Sequence, residues 1–342
     1  VFHPAIERFL TIAEATSPGA TRARRSLDTL LRWVATVDDP WRGSTLSMPG
    51  FPVETAFSTV DDALRYCVEI ADPRSDPRHR LTTAADLLTQ LSPVAIEPDL
   101  LTRLVKLQSR CSLKYGAWIG GRHDAVGDRF KLYAEVPADA KCDADDWYTE
   151  LSGSRHNVTE QTRVEMIGYD VAARRIEFYR RGRNLVPASI REAMSHLNLK
   201  SEADAMFDLL RRAYRFSLAG RLPSSDCGYS ESISLDKGPT FFSLYFFARS
   251  MFGGDGNIRA NVLRLATEFK WDLAAYERTS EPLVGVVGPV TQHGMFGLTI
   301  GPQSRLAMTL GLVPPVALGQ NDQRRVEPRP SEVSAQRCPA SR

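Results

Sequence analysis

The chain is poor in the residues that announce a metal, redox or nucleotide site. Its five cysteines form no CxxC pair and its six histidines show no HExxH or comparable spacing. Structural zinc is therefore not expected, and the thiols read as reduced, cytoplasmic cysteines. No apolar run approaches the roughly 18–20 residues of a membrane-spanning helix. VFHPAIERFL is followed by charged residues rather than by an apolar core and a small-residue cleavage site, so no secretory signal is read there. An excess of one charge is missing too: a formal net charge of +2 makes no electrostatic case for a nucleic-acid or membrane partner. No GxGxxG or GxxxxGK follows a strand, and Gly253-Gly254-Asp255-Gly256 reads as a loop between hairpin and helix. Asp143, Asp145 and Asp146 in CDADDW mimic a metal-binding DDxxD box, but that box belongs on a cavity-facing helix of an all-α protein. Here the acids are expected to cap a helix N-terminus.

What is present is an ordinary globular balance, 43% hydrophobic and 25% charged over 342 residues, enough for a large single core. We expect one domain over residues 1–317 with an N-terminal helical part (1–45), where Leu27, Leu30, Leu31 and Val34 recur at helical spacing and Pro40 stops the pattern. Residues 318–342 are polar, aperiodic and Pro-containing, and read as a disordered tail. Between these ends, strand pairs alternate with helical stretches. The first pair is FPVETAFS and ALRYCVEI across Asp61-Asp62. The second is SLKYGAWIGG and RFKLYAEVP across a loop at His123 to Asp128. The third is RVEMIGYD with RRIEFYRR, the fourth YSESISL with FFSLYFFARS, and the fifth GMFGLTI with RLAMTLGLV. Amphipathic helices are expected at 83–108, 188–216 and 257–276, the last with Val262, Leu263, Leu265, Ala266 and Phe269 along one side. Five hairpins in series can pair edge to edge and close into a ten-stranded barrel wide enough for a ligand. Periodicity alone equally allows an open α+β sheet with one covered face.

The second strands carry the chemistry. They read Leu64-Arg65-Tyr66-Cys67, Phe130-Lys131-Leu132-Tyr133, Ile176-Glu177-Phe178-Tyr179 and Phe242-Ser243-Leu244-Tyr245. Residues two apart share a face, so cations and tyrosines project together, with Arg129 and Arg175 extending two rows. The intervening apolar residues would face the helices. Alternating polar residues can also mark a solvent-facing sheet, but repetition of cation-x-Tyr at one place in successive hairpins favours a lined cavity. Arg and Lys neutralise phosphates by charge-assisted hydrogen bonds without Mg²⁺, and tyrosine faces stabilise a carbocation. Glu54, among apolar neighbours in PVETAFS, is placed to accept a hydrogen bond from an indole N–H.

The pattern resembles the dimethylallyltryptophan synthase type of ABBA aromatic prenyltransferases, in its bacterial, indole-modifying branch, over roughly residues 45–315. The residues that carry the resemblance are Pro52-Val53-Glu54 with Ser58, then Arg65, Lys131-Leu132-Tyr133, Arg175-Ile176-Glu177-Phe178-Tyr179 and Ser243-Leu244-Tyr245. It implies an α+β fold, the ABBA (PT) barrel of ten antiparallel strands in five ββα-type repeats. It also implies metal-independent transfer of a dimethylallyl or geranyl group from an allylic diphosphate to tryptophan or another indole of secondary metabolism, with no cofactor. By the resemblance Glu54 is the catalytic carboxylate. Arg65, Lys131 and Arg175, with the hydroxyls of Tyr133, Tyr179 and Tyr245, hold the diphosphate, and the three tyrosine rings shield the cation. A monomer or weak homodimer is expected. Glu177 departs from the family, which usually has a cation there, and Ala307 and Thr309 stand where an aromatic shield would be expected. Prenyl length is not read from the sequence, although Gly116, Gly168 and Gly297 in the first strands could make room for a longer chain. Phenolic, naphthalene, tyrosine or peptide acceptors, or a barrel that binds a hydrophobic anion without chemistry, remain open alternatives.

Overall fold

A computed structural model describes residues 2–109, 112–153, 162–215, 220–238, 240–302 and 305–316. The expected tail, 318–342, lies outside the described residues.

The strands are β1 (Val53–Ser58), β2 (Leu64–Val68), β3 (Ala117–His123), β4 (Asp128–Glu135), β5 (Thr162–Asp170), β6 (Arg175–Arg183), β7 (Asp226–Ser234), β8 (Phe241–Phe247), β9 (His293–Ile300) and β10 (Ala307–Leu312). Each pairs antiparallel with its sequence neighbour, and β1 pairs with β10 through Thr55–Leu312 to Ser58–Thr309. The sheet is thus a closed ten-stranded barrel, which settles the choice that periodicity left open. Closure removes every unpaired strand edge. All five hairpin turns lie at one end of the barrel, and the longer connections lie at the other.

The period-two pattern decides which face is which. Leu64, Tyr66 and Val68, then Phe130, Leu132 and Ala134, then Ile176 and Phe178, are all buried, while their neighbours Arg65, Lys131 and Glu177 keep partial exposure to the lumen. Apolar rows therefore point outward, into two core layers shared with the helices. Those helices are α1 (Pro4–Glu14), α2 (Ala20–Leu30), α3 (Arg80–Leu91), α4 (Pro98–Gln108), α5 (Lys141–Ser152), α6 (Pro187–His196), α7 (Ala203–Tyr214), α8 (Ala248–Phe252), α9 (Asp255–Phe269) and α10 (Ala274–Thr279).

Several expected boundaries are corrected. The stretch 83–108 is two helices, because Pro93 holds Ser92 extended and Pro98 opens α4. The stretch 188–216 breaks where Asn198 adopts a left-handed φ of 59°, and 257–276 breaks where Lys270 does the same at 55°. The N-terminal helical part ends in a 3-10 turn at Thr36 rather than near residue 45. β8 stops at Phe247, and the following Ala-Arg-Ser is helical. His123 and Asp128 belong to strands, not to the loop between them. Asp143 lies in the first turn of α5, but the N-cap is Ala140 and makes no side-chain bond.

Candidate functional site

Four of the expected side chains form one continuous cluster in the lumen. Tyr133, Tyr179 and Tyr245 stand on β4, β6 and β8, with ring centroids 5.9 Å apart for the first pair and 6.2 Å for the second. The Lys131 Nζ lies 5.3 Å from the Tyr133 ring and 5.2 Å from that of Tyr179, and donates to the Tyr179 hydroxyl at 2.8 Å. It also forms a tight ion pair with Glu177, whose other oxygen accepts from Ser230. Burial disfavours both charges, but the pair outweighs it. The ammonium is held above its ordinary pKa and the carboxylate below its own. Burial also pushes the Tyr133 phenol up to about 12, so these tyrosines stay neutral. The Tyr245 hydroxyl donates to the carbonyls of Arg180 and Tyr229 at 3.0 and 3.2 Å, so its ring is what it offers the lumen.

Glycines on the neighbouring strands set the position of this ladder. A Cβ on Gly120 would come within 2.9 Å of the Tyr133 ring, one on Gly168 would strike Lys131 and Tyr179, and one on Gly228 would strike Tyr245. The expectation that glycines make room for a long prenyl chain is corrected here. Gly168 houses protein side chains and Gly297 faces the Thr309 hydroxyl. Gly116 precedes β3 and abuts the Pro77 carbonyl.

Glu54 faces the same lumen one strand pair away. Its register runs through Cys67 on β2 and Gly120 on β3 to Lys131 on β4. Its carboxylate sits in a niche against Gly294 and Gly311, where a Cβ on either would collide with its oxygens. Burial raises its pKa to about 7, so near neutral pH this group accepts or releases a proton readily.

The other two expected cations are not packed against Lys131. The Arg175 guanidinium lies over the Phe241 ring at 4.5 Å, at the hairpin end of β6. Arg65 lies at the hairpin end of β2, donating to Asp61 at 2.6 Å. Beside it the structure reveals a row that sequence reading missed: Arg65 is register-paired with Arg122, and Arg122 with Arg129. The signal was present in the alternation Trp118, Gly120, Arg122, but it was lost when the strand was ended at Gly121. Three further groups also escaped notice. At the barrel's other end Trp118 stacks on Tyr115 at 3.9 Å and donates to Glu69, which pairs with buried Arg80 at 2.8 Å. On the outer face of the sheet, buried Arg180 pairs with Glu231 at 3.0 Å and with Asp145 at 2.5 Å. Asp145 thus anchors a guanidinium rather than capping its helix. Two Tyr–His–Asp relays, Tyr66–His123–Asp128 and Tyr276–His293–Asp255, tie the strands to the turns and helices around them. Asp255 also accepts the backbone N–H of Gln292 and His293, so the Gly253–Gly256 loop serves the barrel's frame.

A cavity of about 460 Å³ wraps the first hairpin, lined by Ala56, Ser58, Asp61 and Arg65 from the barrel and by Phe9 and Tyr276 from the helices. That is a ligand-sized space; Arg65 lines it, and none of Tyr133, Tyr179 and Tyr245 does. Among the described residues no group of three or more His, Cys, Asp or Glu is placed to hold a metal, and no helix is long and apolar enough to cross a membrane.

No family model and no curated protein matches the chain by sequence. Solved structures do match in shape. The chain is similar to 5-dimethylallyltryptophan synthase from Streptomyces coelicolor, with a TM-score of 0.72 at 16% identity, covering 93% of this chain and 97% of that one. It is similar to 6-dimethylallyltryptophan synthase from Micromonospora olivasterospora, solved with DMASPP and Trp, with a TM-score of 0.70 at 16% identity, covering 92% and 97%. AnaPT from Neosartorya fischeri gives 0.65 at 12% identity, covering 92% and 94%. The architecture is therefore the ABBA barrel of the aromatic prenyltransferases, the fold that the sequence resemblance implied.

Proposed function

We propose that this barrel transfers a prenyl group from an allylic diphosphate to the ring of tryptophan or another indole, without a metal ion. The carrying observation is the placement of Glu54: a carboxylate with a pKa near 7, in a glycine niche on the same lumen wall as a ladder of neutral tyrosines. The tryptophan and dimethylallyl compounds named for the similar structures support the choice of substrates.

In this reading the lumen-facing cations take the diphosphate, and its C–O bond breaks to leave an allylic cation. Tyr133, Tyr179 and Tyr245 face that cation with their π-systems, and the closed wall keeps water from it. The Glu54 carboxylate accepts the indole N–H, which raises electron density in the ring and stabilises the positive charge that appears there on attack. The ring carbon bonds to the prenyl carbon, and loss of the ring proton restores aromaticity, with Glu54 or the departing diphosphate as acceptor.

Incubation of the protein with dimethylallyl diphosphate and a panel of indoles in EDTA tests the reading. Prenylated product is expected; dependence on added Mg²⁺ would refute the metal-free part. One observation favours a second reading. Glu177 neutralises Lys131 and so takes a cation away from ionisation of the diphosphate, which leaves a barrel that holds a hydrophobic anion on its arginines without turning it over. Tight binding of a prenyl thiolodiphosphate, with no product from any indole, phenol or naphthalene, would select that reading.

A further inference from the structure

The hairpin end of the barrel carries a chain of alternating charges. Arg65 and Arg122 share Asp61, at 2.6 and 3.0 Å. Arg122 and Arg129 share Asp124, at 3.2 and 3.4 Å. The three guanidiniums stand on adjacent strands in direct register, Arg65 on β2, Arg122 on β3 and Arg129 on β4. Their side-chain exposure rises along the row, 18%, 33% and 40%, so Arg129 is the most accessible of the three. Both carboxylates are tethered in their turns: Asp61 accepts the Ala63 N–H, and Asp124 accepts those of Val126 and Gly127. They hold the guanidiniums apart and aimed, but do not cancel them. The row keeps one uncompensated positive charge, and the Arg122 Nε is buried without a partner.

The Lys131 position is the reverse. Its ammonium is bound by Glu177, and Asp170 is its register partner on the next strand. Asp170 is also the register partner of Arg175 on β6, so two carboxylates offset two cations and leave no net positive charge there for a phosphate to meet.

Resting on the reading that the ligand carries a diphosphate, we propose that its diphosphate is held at the hairpin end by Arg65, Arg122 and Arg129, and that Glu177 withholds Lys131 from it. Arg122 and Arg129 are then binding residues, and Glu177 sets where along the barrel the anion sits. Guanidiniums suit this task because each presents paired donors to phosphate oxygens. The 460 Å³ cavity beside Arg65 and Asp61 gives the anion its approach. The bound group is either the prenyl donor's diphosphate or the free diphosphate left after transfer. The two share this chemistry and are separated by the probe used.

Isothermal titration of the full chain with inorganic diphosphate, and separately with dimethylallyl thiolodiphosphate, tests the assignment. Arg122→Gln and Arg129→Gln are each expected to weaken binding about tenfold or more, the loss of a charge-assisted hydrogen bond. Lys131→Met is expected to change it little, and Glu177→Gln to tighten it by freeing Lys131. Arg129→Gln alters an exposed side chain, so it gives a result even if the Arg122 variant fails to fold. Binding of the thiolodiphosphate alone assigns the row to the donor; equal binding of both probes assigns it to either. Binding lost in Lys131→Met and kept in both arginine variants would overturn the proposal, as would no binding of either probe to the wild type. Turnover with indoles is scored separately. Its absence, with arginine-dependent binding intact, would count against prenyl transfer and leave the anion site standing.

Discussion

At the scale of single residues, Glu54 sets the terms. Its carboxyl titrates at about 7 in the folded chain against an ordinary 4.5, because burial beside Gly294 and Gly311 removes water from the ionised form. The folded state therefore holds more protons than the unfolded one between these values, and stability falls as pH rises through that window. The penalty is on the order of 3 kcal/mol once Glu54 is fully ionised. Glu54→Gln keeps the volume and removes the charge. Thermal melts should show the variant more stable than wild type by a few degrees at pH 8 and equal to it at pH 4. The same change should cut prenyl transfer about a hundredfold or more. In wild type, kcat/KM should climb as pH passes through about 7; in the variant that limb should be absent. A variant with an unaltered pH profile would remove Glu54 from the chemistry. Sequence could nominate this residue because a carboxylate stands out among apolar neighbours. It could not show the glycine niche, whose walls come from β9 and β10, some 240 residues away.

At the scale of elements, the pairing of tyrosines with glycines across strands decides the shape of the lumen. Gly168→Ala puts a methyl group where the Lys131 stem and the Tyr179 ring now lie. The expected result is a large loss of turnover with only a modest fall in melting temperature, because the outward apolar layer is untouched. An alanine variant with wild-type kinetics would show that the ladder tolerates displacement. The helix–sheet layer offers the opposite case. Arg180 on β6 binds Asp145 on α5 and Glu231 on β7 in a buried cluster. Arg180→Ala should cost about 3–5 kcal/mol, since it strands two carboxylates, and denaturant titration would measure it. The lumen rows were legible because one strand's period of two fixes both faces at once: Leu64 and Tyr66 outward oblige Arg65 and Cys67 inward. The Arg180 cluster was not, because its partners lie 35 and 51 residues off with no local pattern to link them. Helix breaks at Pro93 and Lys270 were missed for different reasons. The first is steric, Pro93 holding Ser92 extended, and the second is a left-handed residue that nothing local demands.

At the scale of the whole molecule, everything depends on the β1–β10 seam. Four register pairs join the two ends of the sheet, and without them β1 and β10 become exposed edges. A chain ending at Pro302, lacking β10, is expected to show no cooperative melting transition and to aggregate on gel filtration; a soluble monomer with intact melting would contradict this. The seam also bears on when the protein can act. Glu54 is synthesised well before the wall that confines it, Gly294 and Gly311. A nascent or half-assembled chain therefore has the acid without its enclosure. Competence arrives only when the ring shuts, so the same event that completes the molecule licenses it to handle a reactive cation.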